Sequence, residues 1–402
     1  MKVLVVHGRY RSGAPSGENR VVDIESAALM ESGHDVVTYT TNSDDIAGWS
    51  LPRKAMVPIH SIRNPRSRSE LRKLLRSERP HVVHVHNTFP MISATALQAC
   101  ADERVPVVIT LHNYKLLCAS GDFFRRGKPC HDCAGGSPWP GLRHGCYRGS
   151  RLATAPVTAS LLVNRSLWRE NVAAYMFISA AQRDLLMPGL NLPVDRVFVK
   201  HNLIPLIPLN VNRTRRNQIA YVGRLDPAKG LPLLMESWDL FCAQEPHSEL
   251  RLVIAGGGPM EREVAEWGAG RPRVDVLGLI SSADVASLLG TSLAVVVPSQ
   301  WEETFGLVIV EAMAAGTAVI AAGHGAFPEL VRDGTDGKLF TPGSPGALAA
   351  VMRDAAENPQ LFQQMGRAAE AAYQDRFDAQ GNLRQLLSIY DFAVRHPVWD
   401  ET

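Results

Sequence analysis

The sequence predicts an α/β protein built from two doubly wound parallel-sheet units. Three observations carry that prediction. Short apolar runs at residues 3–7, 36–40, 82–86, 105–110, 219–222, 250–255 and 294–297 alternate with helical patterns along the whole chain. The periodicity breaks once in the middle, over 203–217, where Pro205, Pro208 and Arg213-Thr214-Arg215-Arg216 interrupt it. A chain of 402 residues, 46% hydrophobic and 20% charged, also has the size of two ordinary globular domains. These place one domain at 1–204, a second at 205–379 and a terminal helical segment at 380–402.

Toward the C-terminus, the apolar run 293–297 reads as a buried parallel strand that Pro298 ends. Residues 306–315 then read as a helix, with Gly316 placed to cap it in the left-handed conformation. Glu303 and Glu311 straddle this strand-to-helix turn. Their spacing of eight is two i,i+4 steps, which predicts both carboxylates on one helix face about 12 Å apart along the axis. Two acceptors so placed suit an extended ligand with hydroxyls at both ends, such as a sugar nucleotide. Glu311 also falls in an otherwise apolar helix, where an unpaired charge is costly.

A second stretch, 218–230, runs from a strand into Gly223, then Arg224 and Lys229, then an amphipathic helix from about Leu231. A guanidinium fork, a compact ammonium and the free N–H groups of a helix start together make a pyrophosphate site. The competing reading is a surface loop in which Arg224 pairs with Asp226.

These residues carry a family resemblance. Gly223-Arg224, Lys229-Gly230, Ala255-Gly256-Gly257-Gly258-Pro259 and the Glu303–Glu311 element followed by Ala318-Val319-Ile320 resemble the C-terminal half of retaining glycosyltransferases of family 4. The strand 2–7, the loop 13–17, Ser32-Gly33-His34-Asp35-Val36 and Thr110-Leu111-His112 resemble its N-terminal half more loosely. The resemblance implies the GT-B architecture: two Rossmann-like domains facing a cleft, with a C-terminal helix that crosses back to the first. It implies a nucleotide-sugar donor held mainly by the second domain and a saccharide or lipid-linked acceptor on the first. UDP-hexose is favoured over GDP-mannose, and a surface polysaccharide or glycoconjugate is the expected product.

Roles follow by resemblance. Glu311 would take the ribose hydroxyls, Arg224 and Lys229 the pyrophosphate, and backbone around Gly278 and Leu279 the base. Glu303, with the amides of Phe305, Gly306 and Leu307, would orient the sugar, and Gly17 would admit the diphosphate. His112 follows the strand 105–111 directly and so emerges at the carboxyl end of a parallel sheet, where ligands bind in such folds; the family uses this histidine near the transferred sugar. Cations at the leaving diphosphate stabilise the transition state, so catalysis is expected to proceed with configuration retained and without a metal cofactor. Two other classes stay open: an epimerase or hydrolase of the same fold, and a non-catalytic sugar-nucleotide-binding protein.

Four of the six cysteines, Cys118, Cys130, Cys133 and Cys146, lie in the Gly/Pro-rich insertion 116–149. The C-x2-C pair suits a zinc-chelating hairpin, and four thiolates would close a tetrahedral structural site; free loop thiols are the alternative. Cys100 and Cys242 fall in helical patterns and read as core residues.

Net charge is only +2, yet residues 1–200 carry 26 basic against 16 acidic groups and the remainder 16 against 24. Much of the excess lies in Arg53, Lys54, Arg63, Arg66, Arg68, Arg72, Lys73, Arg76 and Arg79. Such a cluster suits an anionic leaflet or a solvated helix face; with no interleaved aromatics, nucleic acid is not expected as a partner. The opening apolar run is too short for a signal peptide and no stretch approaches a membrane span, which predicts a cytoplasmic enzyme, peripheral on the inner membrane face if the basic cluster binds lipid.

Overall fold

The computed structural model describes residues 1–10, 16–205 and 214–399, and it separates into two units. One comprises Met1–Phe123, Cys130–Leu203 and Gln380–Thr402; the other comprises Phe124–Pro129 and Ile204–Ala379. Most of the glycine loop 13–17 and the Pro208–Arg213 part of the linker lie outside the described residues.

The first unit is a six-stranded sheet, ordered β2-β1-β3-β4-β7-β8. Its strands are β1 (Lys2–Arg9), β2 (Asp35–Asn42), β3 (Val82–Asn87), β4 (Val107–Leu111), β7 (Ala174–Phe177) and β8 (Val197–Val199). All five pairings are parallel. Helices cover both faces, so β3 and β4 are buried along their whole length and read as continuous apolar runs. The strand expected from Val105 begins at Val107, because Pro106 has no N–H to give the ladder; its carbonyl accepts from Val83 instead. The final helix, Ala379–Arg395, adds Leu386, Ile389, Tyr390 and Ala393 to the core formed by Val3, Val5, Val82, Val108 and Met176.

Between β4 and β7 the insertion is nearly all turn. Its only strands are the two-residue β5 (Phe124–Arg125) and β6 (Lys128–Pro129), paired as an antiparallel hairpin. Tyr114 and Phe123, in the first unit, are buried with ring centroids 4.9 Å apart.

The second unit is also a six-stranded parallel sheet, ordered β11-β10-β9-β12-β13-β14. Its strands are β9 (Arg216–Val222), β10 (Arg251–Ala255), β11 (Val274–Gly278), β12 (Ser292–Val297), β13 (Ala318–Ala322) and β14 (Gly337–Phe340). Strand order reverses between β9 and β12, and ligands of open α/β sheets bind beyond the carboxyl ends at such a switch point. The loops after β9 and β12 are those that carry Arg224, Lys229 and Glu303.

Candidate active site

The switch-point loops are tied together by backbone. The amide of Gln300 donates to the carbonyl of Ala228 at 2.8 Å, that of Leu225 to Gly257 at 3.0 Å, and that of Gly256 to Gly278 at 2.8 Å. Two glycines make this closeness feasible. Gly230 (φ 80°) would bring a Cβ to 1.9 Å from the Pro298 carbonyl oxygen, and Gly256 (φ 145°) to 1.8 Å from that of Gly223. Loops from β9, β10, β11 and β12 thus meet as one surface. Gly278 turns the chain after β11 with φ 66°, and Leu279 beyond it stands 66% exposed beside Gly257.

Arg224 is more than half exposed, and its Nη2 pairs with Asp226 Oδ2 at 2.8 Å. Asp226 also accepts from the amide of Ala228 at 2.9 Å and so caps the single turn Pro227–Lys229. The pairing that competed with the phosphate-site reading is therefore present, with the guanidinium still open to solvent. Lys229 reaches across to Glu303: Nζ lies 2.9 Å from Oε1 and 5.1 Å from the centre of the Trp301 ring. Ser299 Oγ donates to the same Glu303 oxygen. Sequence assigned Lys229 to phosphate and Glu303 to sugar as separate groups; the fold joins them as an ion pair.

The one-face reading of the two glutamates is corrected. The helix spans Leu307–Ala314, so Glu303 precedes it by four residues. Gly306, at φ 117°, breaks any continuous helical path between them, and a Cβ there would meet the Phe327 ring at 2.9 Å. Glu303 is instead held by its turn: its carbonyl accepts from the amide of Ala326 at 3.1 Å, and His324 Nε2 lies 2.7 Å from the Ser299 carbonyl. Glu311 is inside the helix and only 4% exposed, and Phe305 is buried as well. Gly316 caps the helix end with φ 64°, as its position implied. Sequence reading missed Trp301 and His324, because only the folded loops bring them to Lys229 and Ser299.

At the carboxyl edge of the first unit's sheet, His112 joins a column of buried imidazoles. His86 Nδ1 lies 2.9 Å from His112 Nε2, with the rings stacked at 5.2 Å. Below them, His84 Nδ1 is 2.7 Å from the Tyr390 hydroxyl and Nε2 is 2.8 Å from Thr110 Oγ1. Burial drives the His112 pKa down to about 3, with His7 and Lys200 adding like charge. His84 and His86 fall well below their ordinary value for the same leading reason. The column is neutral at pH 7 and can donate or accept single hydrogen bonds.

Beside it lies a cavity of about 90 Å³ that His86, His112, Asn113 and Lys115 line, together with Val157, Ser160 and Leu161 of the helix Arg151–Val163. Sequence reading overlooked a polar cluster at its edge. Asn113 Nδ2 donates to Glu18 Oε2 at 3.1 Å, the Tyr10 hydroxyl donates to the same oxygen at 3.3 Å, and Lys115 Nζ donates to the Tyr10 hydroxyl at 3.1 Å. Burial pushes the Glu18 carboxyl up to about 7. Gly17 opens the helix Gly17–Glu31 that carries Glu18, which Ser16 caps.

Among the described residues, ligand atoms of three metal-binding side chains come within 4.8 Å of one another only at Glu25, His84 and His86. That group is already satisfied: Lys200 Nζ sits 2.6 Å from Glu25, and both His84 nitrogens are engaged. A second cation there would face the lysine. The four loop cysteines are gathered more loosely around Gly141. The Gly141 amide donates to Cys133 sulfur, its carbonyl accepts from the amide of Cys146, and Cys118 and Cys130 lie close enough to act electrostatically on Cys133. Cys100 is fully buried, whereas Cys242 is only partly so, which corrects its reading as a core residue.

Part of the basic cluster is neutralised, through four of its nine residues. Arg68 and Arg72 pair with Asp102, Arg72 and Arg76 with Glu103, and Arg66 with Glu70. Among the described residues no helix is long and apolar enough to cross a membrane.

The chain resembles known proteins along most of its length. The family described as Glycosyl transferases group 1 matches residues 208–372, and Glycosyltransferase Family 4 matches residues 15–208. D-inositol 3-phosphate glycosyltransferase of Corynebacterium kroppenstedtii is 29% identical over 58% of this chain and 53% of its own length. The chain thus spans about half of that relative. Glycogen synthase of Mycobacterium tuberculosis is 27% identical over 98% of this chain and 95% of its own. Among solved structures, Anabaena HepE in complex with UDP has a TM-score of 0.67 at 19% identity, covering 96% of this chain and 99% of that one. Sucrose-phosphate synthase from Thermosynechococcus elongatus has a TM-score of 0.68 at 18% identity, covering 97% and 98%. These likenesses establish the GT-B fold.

Proposed function

Because this chain belongs to the group 1, family 4 glycosyltransferases, we propose that it moves a hexosyl group from a nucleoside diphosphate sugar to a saccharide or lipid-linked hydroxyl. The anomeric configuration would be retained. The observation that carries this reading is the convergence of Arg224, Lys229 and Glu303 at the β9/β12 switch point, beside the helix holding Glu311. Arg224 and Lys229 would bind the diphosphate and neutralise the charge that grows on it as the glycosidic bond breaks. Glu311 would accept from the ribose hydroxyls and Glu303 from the sugar, while the backbone at Gly278 and Leu279 meets the base. A UDP-hexose is the favoured donor, since HepE has been solved with UDP and with UDP-glucose.

His112 would give a neutral hydrogen bond near the transferred sugar, so no charge is buried when the site fills. No divalent cation is invoked, because the two basic side chains supply the charge. A hydrolase would release free glucose from UDP-glucose without an acceptor, and a sensor would bind it unchanged. Labelled UDP-glucose, incubated with and without a lipid extract, separates these: acceptor-dependent loss of donor supports transfer. Equal release in both arms, or none, overturns it.

Two attachments complete the proposal. Exposed Leu51, Met56 and Ile59 stand among Arg53 and Lys54, a pattern that suits an anionic membrane face on the cytoplasmic side; sedimentation with anionic liposomes at low salt tests it. The thiols around Gly141 we assign to structural zinc, which would require their side chains to rotate inward onto one ion. About one equivalent of zinc per chain is expected, and under a tenth would remove the assignment.

A further inference from the structure

Lys115 lines the cavity beside His112, and among the described residues its ammonium has donors to spare. Lys115 threads its stem past Gly121, whose φ of 90° and missing side chain make room: a Cβ there would lie 2.7 Å from Lys115 Cγ. That path leaves Nζ 4.9 Å from the centres of both the Tyr10 and Phe89 rings. Among the described residues its side chain makes one hydrogen bond, to the Tyr10 hydroxyl. An ammonium has three N–H donors, so two remain. The aromatic faces favour the cation but give it no acceptor. The nearby Glu18 accepts from Tyr10 and Asn113 through Oε2, no hydrogen bond joins it to Lys115 among the described residues, and with its pKa at about 7 it is partly protonated at neutral pH.

The rest of the cavity has a second character. Leu116, Ala119, Val157, Leu161 and Trp168 form an apolar wall. Its remaining polar side chains, among them His86 and His112, are uncharged imidazoles, hydroxyls and amides. One cation, several neutral donors and an apolar wall together define a recognisable ligand. We propose that this cavity is an anion subsite, in which Lys115 holds a phosphate ester whose other substituent is apolar. Building on the transferase reading, this makes the acceptor a phosphorylated amphiphile, bound by the first unit independently of the nucleotide.

Hexyl phosphate is a suitable probe, with 1-hexanol and inorganic phosphate as controls. Each is titrated by calorimetry into protein already saturated with UDP, so that the diphosphate site of the second unit is filled. Hexyl phosphate is expected to bind at least ten-fold more tightly than either control. Lys115→Met should lose at least ten-fold of that affinity while its affinity for UDP is unchanged. Equal binding of hexyl phosphate and hexanol, equal binding of inorganic phosphate, or an undiminished affinity in Lys115→Met each overturns the proposal. Should Lys115→Met fail to fold by circular dichroism, the comparison of the three probes on wild-type protein decides alone. The readouts also separate the two claims: absence of UDP binding with hexyl phosphate still bound would sink the donor-site reading and leave this one standing.

Discussion

The two sheet edges solve opposite electrostatic problems. In the second unit, Arg224 and Lys229 are solvent-accessible and each already holds a carboxylate. In the first, His84, His86 and His112 are packed together and driven toward neutrality by burial. One edge keeps paired charge in contact with solvent; the other keeps its buried imidazoles neutral. The same parallel architecture thus supports both tasks, and the difference lies in which side chains the loops leave in water. The exposed Arg224 guanidinium is cheap to re-pair with a phosphate, whereas a buried charge would be costly to create.

The comparison breaks most readily at Arg224. Arg224→Ala should lose ~2–4 kcal/mol of transition-state stabilisation, roughly 30- to 1,000-fold in turnover. Near-wild-type turnover of a labelled donor would remove the charge-neutralising role of that edge.

Next come the pH limits of the buried edge, read by thermal melts. Glu18 has its carboxyl raised from 4.5 to about 7, so between those values the folded protein keeps a proton that the unfolded chain has lost. Stability should fall as pH rises through that window, by up to ~3 kcal/mol from this group. Glu18→Gln should abolish the fall and melt higher than wild type at pH 8. The histidines work the other way. His112 is lowered from 6.5 to about 3, so below pH 6.5 the unfolded chain takes up a proton that the folded one refuses, and stability declines as pH drops. The two trends oppose each other below pH 6.5, so Glu18→Gln separates them. No decline from pH 6.5 to 5 in that variant would contradict the lowered histidines, and equal melting of variant and wild type at pH 8 would contradict the raised Glu18.

A smaller effect sharpens the charged edge. Lys229 and Glu303 should couple in a double-mutant cycle on turnover by ~0.5–3 kcal/mol, and Glu303→Gln should depress turnover more than UDP affinity. Additive effects would mean that the pair in the structure is incidental to catalysis. At the bottom of the scale, Arg76→Ala removes an exposed partner of Glu103 and should leave both melting temperature and turnover unchanged within error; a clear loss of activity would give the basic helix a role beyond surface pairing.

Much of this was legible in the sequence because it depends on local chemistry. Pro298 ending a strand, Gly316 capping a helix and the apolar runs of β9 and β12 are short-range patterns. β7 and β8 were missed because runs of four and three residues carry too little periodicity to separate strand from loop. The glutamates were misjudged because spacing alone cannot reveal that Gly306 takes a left-handed conformation and interrupts the helix. The Lys229–Glu303 pair and the Tyr10–Glu18–Asn113–Lys115 cluster were invisible for a different reason: their members lie 74 or more residues apart, or pair only through the fold. Residue types announced the charged edge and placed His112 at the other; only tertiary contacts disclosed the cluster around it.

Growing crystals with UDP offers the most direct trial of how this protein handles its donor. The diphosphate is predicted to displace carboxylates from Arg224 and Lys229, with the ribose hydroxyls against Glu311. A nucleotide seated away from the β9 and β12 loops, with the Arg224–Asp226 and Lys229–Glu303 pairs intact, would contradict it.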